Sequence, residues 1–230
     1  MSTKWKQIIT KALKMVKREI EDSNDNRYAF LAMTSKFELP FRDLLAIHLQ
    51  NLIPKDTYVT REWKMEVTGH SKKKSKSRTR QSRRVDIAIV DEENNLLCGI
   101  EVKATNSQNG NKLNKDKTSL KHVDKHFGSL KEQLNDLTKV KKVDGTLGIC
   151  GIMIATHPKN RFKNLNEAES SSISSCYTTP EYTPGKMKMY YTKGVENFGW
   201  RFRNLERHMI GLGRYLNNDI QLLVHLISNK

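Results

Sequence analysis

Cysteine is scarce in this chain: three among 230 residues, Cys98, Cys150 and Cys176, odd in number and far apart. That excludes a disulfide framework and a CxxC zinc module, and leaves reduced structural thiols as the expectation. Long apolar runs are lacking too, and the first residues carry no signal-peptide apolar region, so neither a membrane span nor secretion is expected and cytoplasmic residence is the default. There is no GxxxxGK[ST] phosphate loop and no HExxH. His122 and His126 stand four apart on an expected helix, but without an adjacent acid or a cysteine partner their spacing argues little for a metal. Acids are the minority charge, 25 Asp and Glu against 41 Lys and Arg, for a net +16. So basic a chain suits a polyanion as its partner, of which nucleic acid is the commonest. With 37% hydrophobic and 29% charged residues, one compact domain with long polar surfaces is expected.

The stretch that organises the rest is RRVDIAIVDEENNLLCGIEVKAT, residues 83–105. Apolar alternation on either side of DEENN marks two strands, roughly 84–90 and 97–104, joined by a short turn. A turn centred between Glu93 and Asn94 sets Asp86 opposite Glu101, Ala88 opposite Gly99 and Arg84 opposite Lys103. Directly opposed side chains share a face with Cβ atoms about 4.5–5.5 Å apart. Two carboxylates at that separation repel unless a cation lies between them, and an all-oxygen pair suits one hard divalent ion. Val85, Ile87, Ile89, Ile100, Val102 and Ala104 would then form the core face, with Ala88 and Gly99 leaving room beside the acids for a ligand. Lys103, two residues past Glu101, falls on the same side as Glu101.

An Asp, fourteen intervening residues, then Glu, one apolar residue and Lys, on a hairpin, resembles the PD-(D/E)XK nuclease superfamily, the restriction-endonuclease-like fold. The resemblance rests on Asp86 and Glu101-Val102-Lys103, and the surrounding IAIV and GIEVKA agree with it; Val85 stands where many members have proline. It implies a magnesium-dependent phosphodiesterase. In it Asp86, Glu101 and the Val102 carbonyl hold one or two Mg2+ ions, and Lys103 orients or activates the attacking water. It also implies a helix before the first strand that supplies a further acid. Glu38, at the start of the expected helix over SKFELPFRDLLAIHLQNLIP, is the candidate, with Asp43 its rival; the plain alternative is that Glu38 complements the helix N-terminus. Gln133, on an expected helix over 118–140, sits where the family often has Gln or Lys at the edge of the site. Leu137 replaces the tyrosine that an exonuclease branch would carry four residues later.

Elsewhere, residues 4–21 read as an amphipathic helix, 57–67 as a strand holding Glu62 as a further candidate, and 146–158 as a central strand buried on both faces. Between the first two strands lies HSKKKSKSRTRQSRR, whose Lys72, Lys73, Lys74, Lys76, Arg78, Arg80, Arg83 and Arg84 come with no acid. A loop so charged does not fold alone, and ending two residues before Asp86 it is suited to neutralise phosphates. A polar loop is expected over 106–117, a Ser, Thr and Pro-rich loop over 170–185, and an edge strand over 186–192. Leu205, Met209, Leu212, Leu216, Ile220, Leu223 and Ile227 read as the stripe of a closing helix over 203–228, which could also serve as a homodimer face.

The fold expectation is therefore α/β: a central mixed β-sheet flanked by helices with a restriction-endonuclease-like core, in one domain. Residues 1–35 would be a helical extension, 36–158 the catalytic core and 159–230 a loop and helical region. The expected activity is magnesium-dependent cleavage of duplex DNA, most simply by a restriction-type endonuclease, with no membrane partner. A junction-resolving, repair, transposition, phage DNA-processing or RNA-cleaving enzyme would use a related site. The rival from another class is a basic nucleic-acid-binding protein without catalysis.

Overall fold

The computed structural model describes residues 2–23, 25–34, 37–65, 83–105, 118–140, 147–167, 169, 177, 178, 185 and 202–229. Most of the basic loop, including Lys72 to Arg80, lies outside the described residues, as do the loop over 106–117 and the edge strand expected over 186–192.

Three helices open the fold. α1, Thr3–Asp22, starts where the Ser2 hydroxyl accepts the Trp5 N–H, and it buries Trp5, Ile9, Ala12, Leu13, Val16 and Ile20. Those positions recur at three and four residues, so one face meets the core and the lysines stay outside. α2, Arg27–Thr34, was not anticipated. α3, Glu38–Gln50, begins with Glu38 and carries Pro40 in its first turn, where the missing N–H costs nothing. The strands β1 (Thr57–Lys64), β2 (Arg84–Asp91) and β3 (Leu96–Thr105) follow, then helix α4 (Thr118–Leu137) and β4 (Gly148–Pro158).

Among the described residues the sheet has six strands in the order β1-β2-β3-β4-β6-β5, where β5 is Phe202–Tyr215 and β6 is Asn218–Asn229. Of these six strands β3 and β4 pair in parallel, as a crossover through α4 requires, and the other pairings are antiparallel. The coarse class, a mixed sheet with helices, is as expected. Ile87, Ile89, Ile100, Val102, Ile152, Ile154, Leu222 and Val224 face α1–α3, whereas Ala88, Val90, Met153, Leu223 and Ile227 face Leu130, Leu134 and Leu137 of α4. Each of those three leucines is fully buried, worth about 2 kcal/mol apiece. Val85 belongs to the α4 side, not to the Ile87 and Ile89 face where strict alternation had put it. β4 is buried along its whole length. Among the described residues no helix is long and apolar enough to cross a membrane.

The expected closing helix over 203–228 is instead the β5–β6 hairpin. Its two-residue loop, Leu216 and Asn217, has φ of 46° and 57° between the paired Tyr215 and Asn218. Positive φ at both positions is the turn that matches strand twist. β6 lies inside the sheet with both faces covered, so its apolar residues are nearly continuous and satisfy a helical spacing as readily as a strand. Gly213, at φ 93° beside a register shift, fits because any Cβ there would lie 2.9 Å from the Asp25 carbonyl. At this edge Glu21 accepts the Gly211 N–H and Asn26 accepts the Arg214 N–H. At the opposite edge the Gln50 side chain accepts the Val59 N–H of β1 at 2.8 Å. Both outer strands therefore present fewer open donors to another chain.

Candidate active site

The hairpin register is the one the sequence implied: Ile87↔Ile100, Ala88↔Gly99 and Ile89↔Cys98, with a bulge only after Ile89. One step further along, Asp86 comes against Glu101, where the β2–β3 pairing has ended. Pairing of β1 with β2 also passes over this point, running from Thr57↔Asp91 to Arg61↔Ile87 and resuming at Trp63↔Val85. Glu62, the residue passed over on β1, has φ 56°.

Beyond Ile100 the β2-facing edge of β3 is met by carboxylates. Asp86 Oδ2 accepts the Val102 N–H at 2.8 Å, and Glu38 Oε2 accepts the Ala104 N–H at 2.9 Å. Alternate residues of a strand address the same neighbour, and N–H and C=O of one residue point the same way. The Val102 carbonyl therefore points toward Asp86. Lys103 Nζ lies 3.9 Å from Glu38 Oε1, in a pair whose side chains are mostly buried.

Glu101 is 1% exposed and its Oε2 has no hydrogen-bond partner. Its pKa is pushed up to about 9, first by burial, then by the charge of Asp86 and a hydrogen bond with it; Glu38 adds to the rise and Lys103 opposes it. Without a cation this carboxyl holds a proton at neutral pH. An ionised Glu101 needs a positive partner beyond Lys103, which is already paired with Glu38, and the carboxylate and carbonyl oxygens around it are the donor set of a hard divalent ion. Among the described residues no group of three His, Cys, Asp or Glu side chains is arranged to hold a metal. The candidate set is accordingly Asp86, Glu101 and the Val102 carbonyl, with Glu38 one strand position away.

Not every expectation survives. Ala88 and Gly99 leave no room for a ligand, because a Cβ on Gly99 would lie 2.9 Å from Leu137 Cδ2 of α4. Arg84 is not opposite Lys103 in the ladder; it pairs with Lys64 of β1 and lies 3.9 Å from Glu62. Asp43 is tied to Arg42 and to Arg61, at 2.8 Å from the latter, so Glu38 and not Asp43 is the α3 acid beside Lys103. Glu62 is paired with Arg42. Arg83 pairs with Asp136 on α4. Gln133 has a buried Oε1 without a partner, on the helix whose Leu130 and Leu134 cover Gly151, the β4 partner of Glu101. Cys98 and Cys150 are free and buried, and burial pushes Cys98 up to about 12, as suits structural thiols.

The residue the sequence reading missed is Arg42. It follows Glu38 by one helical turn, is 9% exposed, and reaches both Glu62 and Asp43. Burial pulls its pKa down, but the hydrogen bond it donates to Glu62 and the charges of Asp43 and Glu62 outweigh that and raise it. It lines a cleft of about 700 Å³ between α3 and β1, with Asp43, Gln50, Val59, Arg61 and Glu62. Arg42 shares the buried face of α3 with Leu45, Ala46 and Leu49, so in sequence it is visible only as a charge among apolar neighbours. Compared with protein-family models, with curated proteins and with solved structures, the chain matches none of them.

Proposed function

We propose that this chain is a magnesium-dependent endodeoxyribonuclease, most simply of the restriction type, built on a restriction-endonuclease-like core. The order α3-β1-β2-β3-α4-β4 supplies the helix, strands, helix and strand which that reading requires. The observation that carries it is Glu101: a buried carboxyl with an unpartnered oxygen, against Asp86, one residue from a backbone carbonyl and two from Lys103.

Asp86, Glu101 and the Val102 carbonyl would hold Mg2+. When bound, the ion supplies charge that polarises the phosphoryl group and lowers the pKa of the attacking water. Lys103 orients that water and offers a compact positive charge to the phosphoryl oxygens as negative charge develops. Glu38 fixes Lys103 through their ion pair and the end of β3 through the Ala104 N–H. Arg84, half exposed and two residues before Asp86, continues the basic segment toward the scissile strand and contributes affinity without base choice.

The test is cleavage of plasmid and linear duplex at low salt, with magnesium or with EDTA, by wild type and by Lys103→Ala and Asp86→Ala proteins of verified fold. Cutting that needs magnesium and disappears in both variants is expected. Salt-sensitive DNA binding without cutting of duplex, branched or single-stranded DNA would replace this reading with the non-catalytic binder, and preferential cutting of RNA would change the substrate.

A further inference from the structure

Glu62 is a non-glycine residue at φ 56° in the middle of a strand. A left-handed conformation there is strained, and it persists only where the surroundings over-determine it. The surroundings are specific. Glu62 Oε1 is hydrogen-bonded to Arg42 on α3, and Glu62 Oε2 lies 3.9 Å from Arg84 Nη1 on β2. Arg42 is one turn from Glu38, and Arg84 is two residues from Asp86. Asp43 closes the arrangement by meeting Arg42 at 3.4 Å and Arg61, the neighbour of Glu62, at 2.8 Å.

The backbone answers to this bridge. β1 and β2 pair on either side of Glu62 and Asp86 but not between them. Asp86 is thereby left to turn its carboxylate to the Val102 N–H instead of lying in a regular ladder. The helix bearing Glu38 and the strand bearing Asp86 both meet β3 within three residues, at Val102 and Ala104. Beside their shared apolar packing, the two are linked on the β1 side through Glu62, which meets Arg42 and Arg84.

We propose that Glu62 and Arg42 are positioning residues: the Arg42–Glu62–Arg84 bridge sets the spacing between α3 and β2, so that Glu38 and Asp86 reach β3 together. This rests on the nuclease reading above. Neither residue touches substrate in this role. A bridge that only added stability would lower the melting temperature when removed and leave the turnover of the folded enzyme alone. A positioning bridge moves the carboxylates, and misplacement by about 1 Å costs on the order of a hundredfold in rate.

The test compares Glu62→Gly, Arg42→Met and the double variant in single-turnover cleavage of labelled duplex across a magnesium titration, with Mn2+ affinity measured by calorimetry. Glycine tolerates the backbone at position 62, and methionine keeps much of the buried stem of Arg42. Each single variant is expected to lose about a hundredfold in cleavage rate, with little change in half-saturation by DNA and with weakened Mn2+ binding. The double variant is expected to be no worse than the poorer single one, because both break the same bridge. Should Arg42→Met not fold, Arg42→Lys replaces it and is expected to retain part of the rate. Wild-type cleavage and Mn2+ affinity in folded Glu62→Gly protein, or losses that add in the double variant, overturn the proposal. A wild-type protein that neither cuts nor binds Mn2+ overturns the nuclease reading instead.

Discussion

Replacing Glu101 by glutamine should stabilise the metal-free protein, and the size of the gain should depend on pH in a defined direction. The folded-state pKa of Glu101, about 9, lies above the ordinary 4.5. Below pH 4.5 the carboxyl is protonated in both folded and unfolded chains and costs nothing. Between 4.5 and about 9 the unfolded chain ionises while the folded one keeps its proton, so stability falls as pH rises, by 1.36 kcal/mol per pH unit. At pH 7 the loss is roughly 3 kcal/mol, and between pH 5 and pH 8 roughly 4 kcal/mol, a large part of a typical domain's stability. Urea denaturation in EDTA at pH 5 and pH 8, on wild type and Glu101→Gln, isolates the effect of Glu101 because other titrations cancel between the two proteins. Wild type is expected to lose about 4 kcal/mol more than the variant over that interval. Added magnesium at pH 8 should recover stability in wild type and little in the variant, since the ion favours the ionised form. Equal losses in the two proteins would refute the argument that Glu101 is held protonated by burial and by Asp86.

Two further predictions rest on other positions. The pKa of His225 is lowered to about 4 by burial and by the charge of Arg207, and among the described residues neither ring nitrogen has a hydrogen-bond partner. Its contribution is fully present above pH 6.5 and is lost as pH falls toward 4. In a Glu101→Gln background His225→Leu should therefore remove roughly 3 kcal/mol of acid sensitivity, read from urea midpoints at pH 7 and pH 4. Gly213→Ala should cost about 1–3 kcal/mol, because the residue is at φ 93° and a Cβ meets the rigid Asp25 carbonyl. Gly99→Ala should cost less, since its nearest contact is the movable end of Leu137; thermal melts of the two variants would rank them.

The hairpin was readable because two independent signals agreed. A turn placed between Glu93 and Asn94 set a register, and the apolar residues Ile87, Ile89, Ile100 and Val102 fell on one face in that register. Glu38 was singled out only through the family resemblance, with Asp43 as its rival, and sequence could not say which of the two would lie beside Lys103. The C-terminal hairpin was not, because Leu222, Leu223, Val224, Leu226 and Ile227 are all buried, and a strand covered on both faces has no period of its own. α2 escaped because its buried Tyr28, Ala29, Ala32 and Met33 span only two turns. The space imagined at Ala88 and Gly99 failed for a tertiary reason, since α4 comes from a distant segment and lays Leu137 over them. Arg42 and Glu62 were legible as charges but not as a pair: their link depends on a backbone reversal of φ that no propensity announces.

β4 has a consequence for how the protein is made. Its eleven residues, GICGIMIATHP, carry no acidic, lysine or arginine side chain, and one of its edges is closed only by β6. During synthesis that edge stands open until residues 218–229 have emerged and folded back as the β5–β6 hairpin. An uncharged, apolar strand with an unpaired edge is a template for association with other chains. The C-terminal hairpin thus acts as a built-in shield for the newborn chain. Substitutions that slow its closure, such as those at the Leu216–Asn217 turn, would first show as lost soluble yield, before any change in the acids at the other side of the sheet.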